Sequence, residues 1–160
     1  MTLIQQTLQQ MQGIPSFHGG TQQLEVTAGQ ERLQCELTAL DTLACTFDRF
    51  ELQSDRLAGA TMAKLKTLAA DLSKRLTYLL EAISPIEFDH EECHVQMRSN
   101  PPRKGEDGSS YYELTVRRGG ALALCRYRKA SGQPREIIPA QVTREVFMHL
   151  ISDFAAAVQS

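Results

Sequence analysis

The chain has 160 residues, of which 42% are apolar and 22% charged, a composition typical of one globular domain that needs no disulfide or metal to hold its core together. No stretch approaches the ~18 consecutive apolar residues that a membrane helix requires. The first twelve residues contain neither a basic residue nor an apolar run, so a secretory signal is not expected. The net charge of −2 is unevenly distributed: residues 98–135 carry nine Lys and Arg against three Asp and Glu, which gives +6 there and −8 elsewhere.

A short helix and three strands are predicted in the first part of the chain. Thr2 is suited to cap a helix that runs to about Gln12. Alternating apolar residues then predict strands at 22–28, 33–39 and 43–52. In the last of these the apolar positions shift by one residue between Phe47 and Phe50, which predicts a β-bulge near Asp48 and Arg49.

The longest helical pattern of the chain is predicted to run from Ala60 to Ile83. Apolar residues recur there at steps of three and four, and they form one stripe that must be buried against another surface. The stripe consists of Met62, Leu65, Leu68, Leu72, Leu76, Leu79, Leu80 and Ile83. Pro85 is expected to end the helix, because proline disfavours helical geometry in the residue before it.

Strands and a terminal helix are also predicted in the second half. The strand-like segments are 86–97, 112–116 and 121–128, with a short edge strand at 132–138. Two prolines, two glycines and four charged residues between Ser99 and Ser110 predict an exposed loop. Pro139 is predicted to open a final helix.

The two halves resemble each other in three elements at nearly constant spacing. The corresponding segments are 36–38 with 113–115, 45–47 with 125–127, and the helical apolar positions 68–80 with 146–158. An internal duplication accounts for this agreement, and chance alignment of amphipathic elements is the alternative. The predicted fold is a single α+β domain over 1–160, with a short helix in 1–15 and βββα halves in 16–83 and 84–160. About six antiparallel strands would form one sheet, with the two long helices on one face.

The cysteines and one acidic segment contain the residue types that metal or redox chemistry requires. The four cysteines are isolated beside apolar neighbours, which predicts buried thiols in a reducing cytoplasm. On an extended strand, His90, Glu92 and His94 would point the same way and offer two imidazoles and a carboxylate to zinc or iron. The alternative is the polar side of a strand, and no spacing identifies a further ligand, so no metal or other cofactor is expected.

A basic hairpin is the more informative pattern, because it combines cations with aromatic rings. Its residues are Arg117, Arg118, Arg126, Arg128, Tyr111 and Tyr127, with Lys129 adjacent and Arg98, Arg103 and Lys104 extending it. Such a set can hold phosphates and stack a base, which would make this a nucleic-acid or polyanion site. The alternative is a solvated edge whose arginines pair with acidic residues of the same chain.

The predicted succession of helix, three strands, helix, strands and helix resembles that of the small α+β chaperones of type III secretion. The resemblance rests on element order over nearly the whole chain, without a shared motif, and the +6 segment departs from a family usually described as acidic. It implies a homodimer that holds an extended segment of a protein partner. A duplicated sheet like that of the TATA-box-binding domain is a second topological match.

Catalytic motifs are absent from the sequence, which favours a non-enzymatic protein. Neither Gly-x-Ser-x-Gly nor Gly-x-Gly-x-x-Gly occurs, and Gly119-Gly120 lies between strands, whereas a phosphate loop is followed by a helix. The first hypothesis is therefore an adaptor or chaperone-like protein that binds a protein partner on an exposed sheet face, where Leu122 and Leu124 were expected to lie. Polyanion binding through residues 111–129 is the second, and a metal-dependent activity at His90, Glu92 and His94 the third.

Overall fold

The computed structural model describes all residues from Met1 to Ser160 as three helices and ten strands. The helices are α1 (Leu3–Gln12), α2 (Met62–Arg75) and α3 (Arg144–Gln159), with a single 3₁₀ turn at Asp55–Leu57. The strands are β1 (Phe17–Ala28), β2 (Glu31–Leu40), β3 (Ala44–Ser54), β4 (Ile83–Asp89), β5 (His94–Ser99), β6 (Arg103–Gly105), β7 (Gly108–Arg117), β8 (Ala121–Lys129), β9 (Glu136–Ile138) and β10 (Ala140–Thr143).

All ten strands belong to one open antiparallel sheet, which confirms the predicted fold class. The order is β1-β2-β3-β8-β7-β5-β4, and β10 pairs with β3, β9 with β8 and β6 with β7. The prediction of about six strands was wrong, as was the prediction of three strands between the two long helices, because seven strands lie there. The strands β6, β9 and β10 are short and pair with part of a longer neighbour, and the predicted strand 86–97 is two strands, β4 and β5, joined by a turn.

The segment 99–110 shows why strands were missed. Its prolines and charges predicted a loop, yet β6 and β7 form a hairpin whose two-residue turn is Glu106-Asp107. Gly108 has a φ of +124° and packs directly against the backbone of Lys129, where a Cβ atom would overlap the carbonyl oxygen. Glycine at this position therefore allows the hairpin to lie against the end of β8.

The central helix is shorter than the sequence pattern predicted. The Thr61 side chain accepts a hydrogen bond from the Lys64 N–H at the start of α2, and the helix ends at Arg75. Leu76 and Leu79 continue the apolar spacing, but they reach the core from an irregular segment in which Leu80 has a φ of 65° and is 92% exposed. The apolar spacing in the sequence therefore extends beyond the last residue of the helix.

The predicted bulge in β3 is confirmed by the strand register. Leu37 of β2 pairs with Phe47, whereas the preceding Glu36 pairs with Arg49, so Asp48 is the extra residue. The bulge lets Phe47 and Phe50 both enter the core although three positions separate them.

The core lies between one face of the sheet and the helices α2 and α3. Phe50 of β3 makes edge-to-face contacts with Phe147 and Phe154 of α3, at centroid distances of 5.5 and 5.1 Å. Leu122 and Leu124 of β8 are fully buried in the same core. The expectation that these two leucines lie on the exposed face was therefore wrong.

All four cysteines are free and buried, as predicted. Burial raises the pKa of the Cys35 and Cys125 thiols, and it raises the pKa of Cys45 to about 12. These thiols are therefore protonated at neutral pH and poorly nucleophilic.

The strand order has an approximate internal symmetry. β3 and β8 pair at the centre, β2 and β7 flank them, and β1 and β5 come next. The predicted correspondence between Glu36 and Glu113 joins equivalent strands, but that between Phe47 and Tyr127 joins a core residue with one that lines a surface depression. An internal duplication stays a prediction.

No helix combines the length and apolar character that crossing a bilayer would demand.

Candidate functional site

The face of the sheet opposite α2 and α3, called here the open face, carries charged, polar and aromatic side chains. Because residues alternate along strands, the side chains between the buried core positions point to this face. They include Arg49 and Glu51 of β3, Gln96 and Arg98 of β5, Tyr111, Glu113, Thr115 and Arg117 of β7, and Ala123, Cys125 and Tyr127 of β8. No helix covers these residues. Arg49 and Arg117 are exposed on this face, whereas Tyr111, Glu113, Ala123 and Cys125 are buried beneath their neighbours.

Two tyrosines and two arginines form a stacked row across the open face, called here the arginine–tyrosine ladder (Arg98, Tyr111, Tyr127 and Arg135). Tyr111 and Tyr127 are directly opposite each other in the β7–β8 register, with ring centroids 6.0 Å apart. The Arg98 guanidinium lies 4.7 Å from the Tyr111 ring centroid, and that of Arg135 lies 3.9 Å from the Tyr127 ring centroid. These distances are typical of cation–π contacts, which hold the four side chains in place.

The carboxylate of Glu113 connects the two ends of the ladder. Arg98 Nη2 donates to its Oε2 at 3.0 Å, while Arg135 donates through Nη1 to Oε2 at 2.6 Å and through Nη2 to Oε1 at 3.3 Å. The Glu113 side chain is only 7% exposed. Burial alone would raise the pKa of Glu113, but the hydrogen bonds from Arg135 and Arg98 outweigh burial and lower it.

Replacing Glu113 with glutamine is expected to destabilise the protein by about 1 kcal/mol near neutral pH, since both guanidinium groups lose a charged acceptor. A lowered pKa means that the carboxylate stabilises the fold above its unfolded-state pKa of about 4.3, and that this contribution is lost as the pH falls through the folded-state value. Urea unfolding should therefore show that the difference in the free energy of unfolding between Glu113→Gln and the wild type is smaller at about pH 3 than at about pH 7.

The control for this prediction is Glu87→Gln, which changes an exposed glutamate of β4 that forms no ion pair. It should differ little from the wild type at both pH values. A Glu113→Gln gap that stays the same at both pH values would contradict the assigned role of the carboxylate.

Two depressions lie beside the ladder, and Arg135 borders both. The smaller, of about 210 Å³, is lined by Arg49, Glu51, Glu113, Thr115, Arg117, Ala121, Ala123, Cys125, Tyr127 and Arg135. The larger, of about 600 Å³, is lined by Ile86, Arg98, Ser99, Asn100, Pro102, Ser109, Tyr111, Lys129 and Arg135. Five of these side chains are cationic and two are anionic, so the surface is positive.

The structure divides the basic hairpin residues between the two sides of the sheet. Tyr111, Tyr127 and Arg117 lie on the open face, and Arg118 lies in the turn after β7. Arg126 and Arg128 have the same strand parity as Leu122 and Leu124, so they point to the helix side. The residues proposed from sequence therefore do not form one patch, and whether those on the open face bind an anion stays a prediction.

Arg126 is part of the interior. Its Nη1 lies 2.8 Å from Oε2 of Glu81, each side chain is 12% exposed, and its guanidinium lies 4.6 Å from the centroid of the Tyr112 ring. Arg128 pairs with Glu136 at an exposed position. The acidic partners of these two arginines are thus Glu81 and Glu136.

Arg49 and Arg135 are the main site residues that sequence reasoning did not single out. Arg49 pairs with Glu51 at 3.2 Å, and its Nη1 lies 3.9 Å from the Cys125 sulfur. The alternation of Arg49 and Glu51 with Phe50 was visible in the sequence, but the pairing of β3 with β8 was not. Arg135 lacked a local signal, because its partner Glu113 lies 22 positions earlier.

The residues considered as metal ligands do not share one strand face. Residues 90–93 form the turn between β4 and β5, in which Asp89 Oδ1 accepts hydrogen bonds from the N–H groups of Glu91 and Glu92. The expectation that His90, Glu92 and His94 point the same way from an extended strand was therefore wrong. No group of three or more His, Cys, Asp and Glu side chains is placed to hold a metal ion.

The largest cleft, of about 910 Å³, lies on the helix side, between residues 79–82, 100–103 and 139–143. Leucine, proline and alanine supply about half of its lining, and the Arg126–Glu81 pair is among the other lining residues. Glu81 Oε1 and Arg126 Nη1 are both buried from solvent, so a ligand in the cleft cannot reach these two atoms without displacing side chains. The open face presents its charged groups more directly.

The chain is thus an α+β protein whose open antiparallel sheet presents a positive, aromatic surface. Comparison of the chain with known protein families, curated proteins and solved structures found no match. The geometry of the open face is therefore the basis on which a function is inferred.

Proposed function

We propose that the protein is a non-enzymatic, chaperone-like adaptor that holds a protein partner on the open face of its sheet. The observation that carries this proposal is the arginine–tyrosine ladder, which lies on a face that no helix covers. Tyrosine and arginine are enriched where protein interfaces concentrate their binding energy. The mutual contacts of the ladder side chains also reduce the entropy that they would lose when a partner binds.

Binding of nucleic acid is the alternative function for the same surface. Base stacking needs an accessible ring face, but in the ladder each tyrosine ring has an arginine against it and the other tyrosine beside it. Tyr111 is only 8% exposed. Arg126 and Arg128, two cations on which that hypothesis depended, are engaged on the other side of the sheet. A protein partner is therefore favoured.

The resemblance to type III secretion chaperones supports the same class of function through element order. The helix α1, three strands and α2 follow one another as in that family, and α3 closes the chain, although seven strands lie between α2 and α3. The resemblance also implies a homodimer. The edge strand β4, where Ile86 is 46% and Phe88 is 42% exposed, is an apolar surface that a second copy would cover.

Site-specific photocrosslinking in cells that express the protein tests this proposal. A photoreactive residue at Thr115, which lines the smaller depression, should form covalent adducts with a protein partner. The same residue at Thr67, exposed on α2, is the matched control and should form none, because α2 lies on the opposite side of the sheet.

The outcomes of this experiment are distinguishable. Protein adducts from position 115 and none from position 67 support the proposal. Adducts from position 115 that nuclease removes would favour the nucleic-acid alternative, and equal adducts from both positions would exclude a specific role for the open face.

A further inference from the structure

We infer that the partner segment is acidic and extended, with carboxylates placed to meet Arg117 at one end of β7 and Lys129 at the other. This inference rests on the proposed function, and it specifies the chemistry of the partner. It follows from the charges on the open face and from the distance between the two cations that lack an anionic partner.

The charges of the open face are only partly balanced within the protein. Glu113 neutralises part of the charge of Arg98 and Arg135, and Glu51 pairs with Arg49. Arg117 forms no ion pair, and the Lys129 ammonium donates only to the backbone carbonyls of Ala130 and Gln133. A ligand that carries carboxylates would complete this surface, whereas a cationic one would be repelled.

The two unbalanced cations lie at opposite ends of one strand. Lys129 pairs in register with Ser109 near the start of β7, and Arg117 is the last residue of β7. At about 3.3 Å per residue, the eight steps from Ser109 to Arg117 correspond to roughly 26 Å along the strand. An extended segment of about nine residues spans this distance. Its middle lies over Glu113, and it crosses the Tyr111–Tyr127 pair two residues from the Lys129 end.

The negative charges between the two ends favour a peptide over a nucleic acid. Glu113 and Glu51 both line the smaller depression along this path. A phosphate backbone carries a charge at every nucleotide and would bring charges close to these carboxylates. In a peptide, acidic side chains can be confined to the positions that meet Arg117 and Lys129, with neutral residues over the glutamates.

Fluorescence anisotropy with a defined probe tests the inference. The probe is a labelled peptide of about nine residues with glutamate at both ends and threonine between them, because β-branched residues favour an extended chain. It should bind, with an affinity that falls as salt is added. The matched peptide with glutamine in place of glutamate should bind at least about fivefold more weakly.

Variants of the protein assign the binding to the two cations. Arg117→Gln and Lys129→Gln together should weaken binding of the glutamate peptide about fivefold, and Arg117→Gln alone should account for part of the loss. Lys74→Gln is the matched control on the opposite side, since Lys74 is an exposed lysine near the end of α2, and it should leave the affinity unchanged. Urea unfolding of each variant checks that the fold is intact.

Three results would overturn the inference: no binding of the glutamate peptide, equal binding of the glutamine peptide, or tighter binding of a single-stranded DNA of similar length. Photocrosslinking from position 115 separates this failure from failure of the proposed function. Protein adducts there without binding of the glutamate peptide would mean that the open face holds a partner that is not acidic. Absence of adducts would remove the proposed function as well.

Discussion

Replacing Arg126 with methionine is expected to lower the free energy of unfolding by about 3 kcal/mol. The substitution leaves the Glu81 carboxylate, only 12% exposed, without the guanidinium that lies 2.8 Å from it. It also removes the hydrogen bond from Arg126 Nη2 to Ser110 Oγ and the contact with the Tyr112 ring. Urea unfolding at neutral pH measures the loss as a lower midpoint.

Two further variants identify the buried carboxylate as the cause. Arg128→Met changes an arginine on the same strand and the same side of the sheet, but its pair with Glu136 is exposed, so the change should stay below about 1 kcal/mol. The double variant Glu81→Met and Arg126→Met should recover most of the loss, because two apolar side chains can replace a buried ion pair. A double variant as unstable as the single one would show that the lost packing, and not the unpaired charge, determines the result.

The environments of the hairpin arginines could be predicted only in part from the sequence. Strand alternation separates residues of odd and even number, and this rule alone places Arg126 and Arg128 on one side and Tyr127 on the other. It does not say which side is the core. The stretch from Ala121 to Cys125 is apolar at every position, so both faces looked suitable for burial. Contact with α2 and α3 decides the question, and such contacts depend on the whole fold.

Local sequence patterns correctly predicted the features that depend on local geometry. The bulge at Asp48 followed from a change of apolar phase within one strand. The apolar stripe begins at Met62, which is the first residue of α2, two residues after the predicted start at Ala60. The end of α2 was not predictable in the same way, because Leu76 and Leu79 are buried without being helical. Burial sets the apolar spacing, and an irregular segment can satisfy it as well as a helix can.

The ladder depends on contacts between residues distant in sequence. Tyr111 and Tyr127 come together through the β7–β8 register, and Arg135 returns to them because β9 pairs with β8. The hairpin itself was predicted, so the pairing of the two tyrosines was predictable from the sequence. The Glu113–Arg135 pair was not, since the sequence predicts an edge strand at 132–138 but does not say that this strand pairs with β8.

Replacing Phe50 with alanine is expected to destabilise the protein by about 3–5 kcal/mol, the largest effect predicted here for a single residue. Phe50 is fully buried, and it contacts Phe47 at a centroid distance of 5.8 Å as well as Phe147 and Phe154 of α3. Its loss leaves a cavity between the sheet and α3 and removes two edge-to-face contacts, each of which adds to the free energy of burial. The urea concentration at the midpoint of unfolding should fall, while the slope of the unfolding free energy against urea concentration stays the same.

Phe88→Ala provides the matched control, because Phe88 is 42% exposed on the edge strand β4 and its only aromatic interaction is with the Lys66 ammonium, 4.9 Å from the ring centroid. Its cost should stay near 1 kcal/mol. Phe50→Leu should fall between the two, since leucine fills part of the volume but restores no aromatic contact. If Phe50→Ala were no more destabilising than Phe88→Ala, the contact between β3 and α3 would not hold the helix layer on the sheet. The open face then could not be assigned as the side that remains free for a partner.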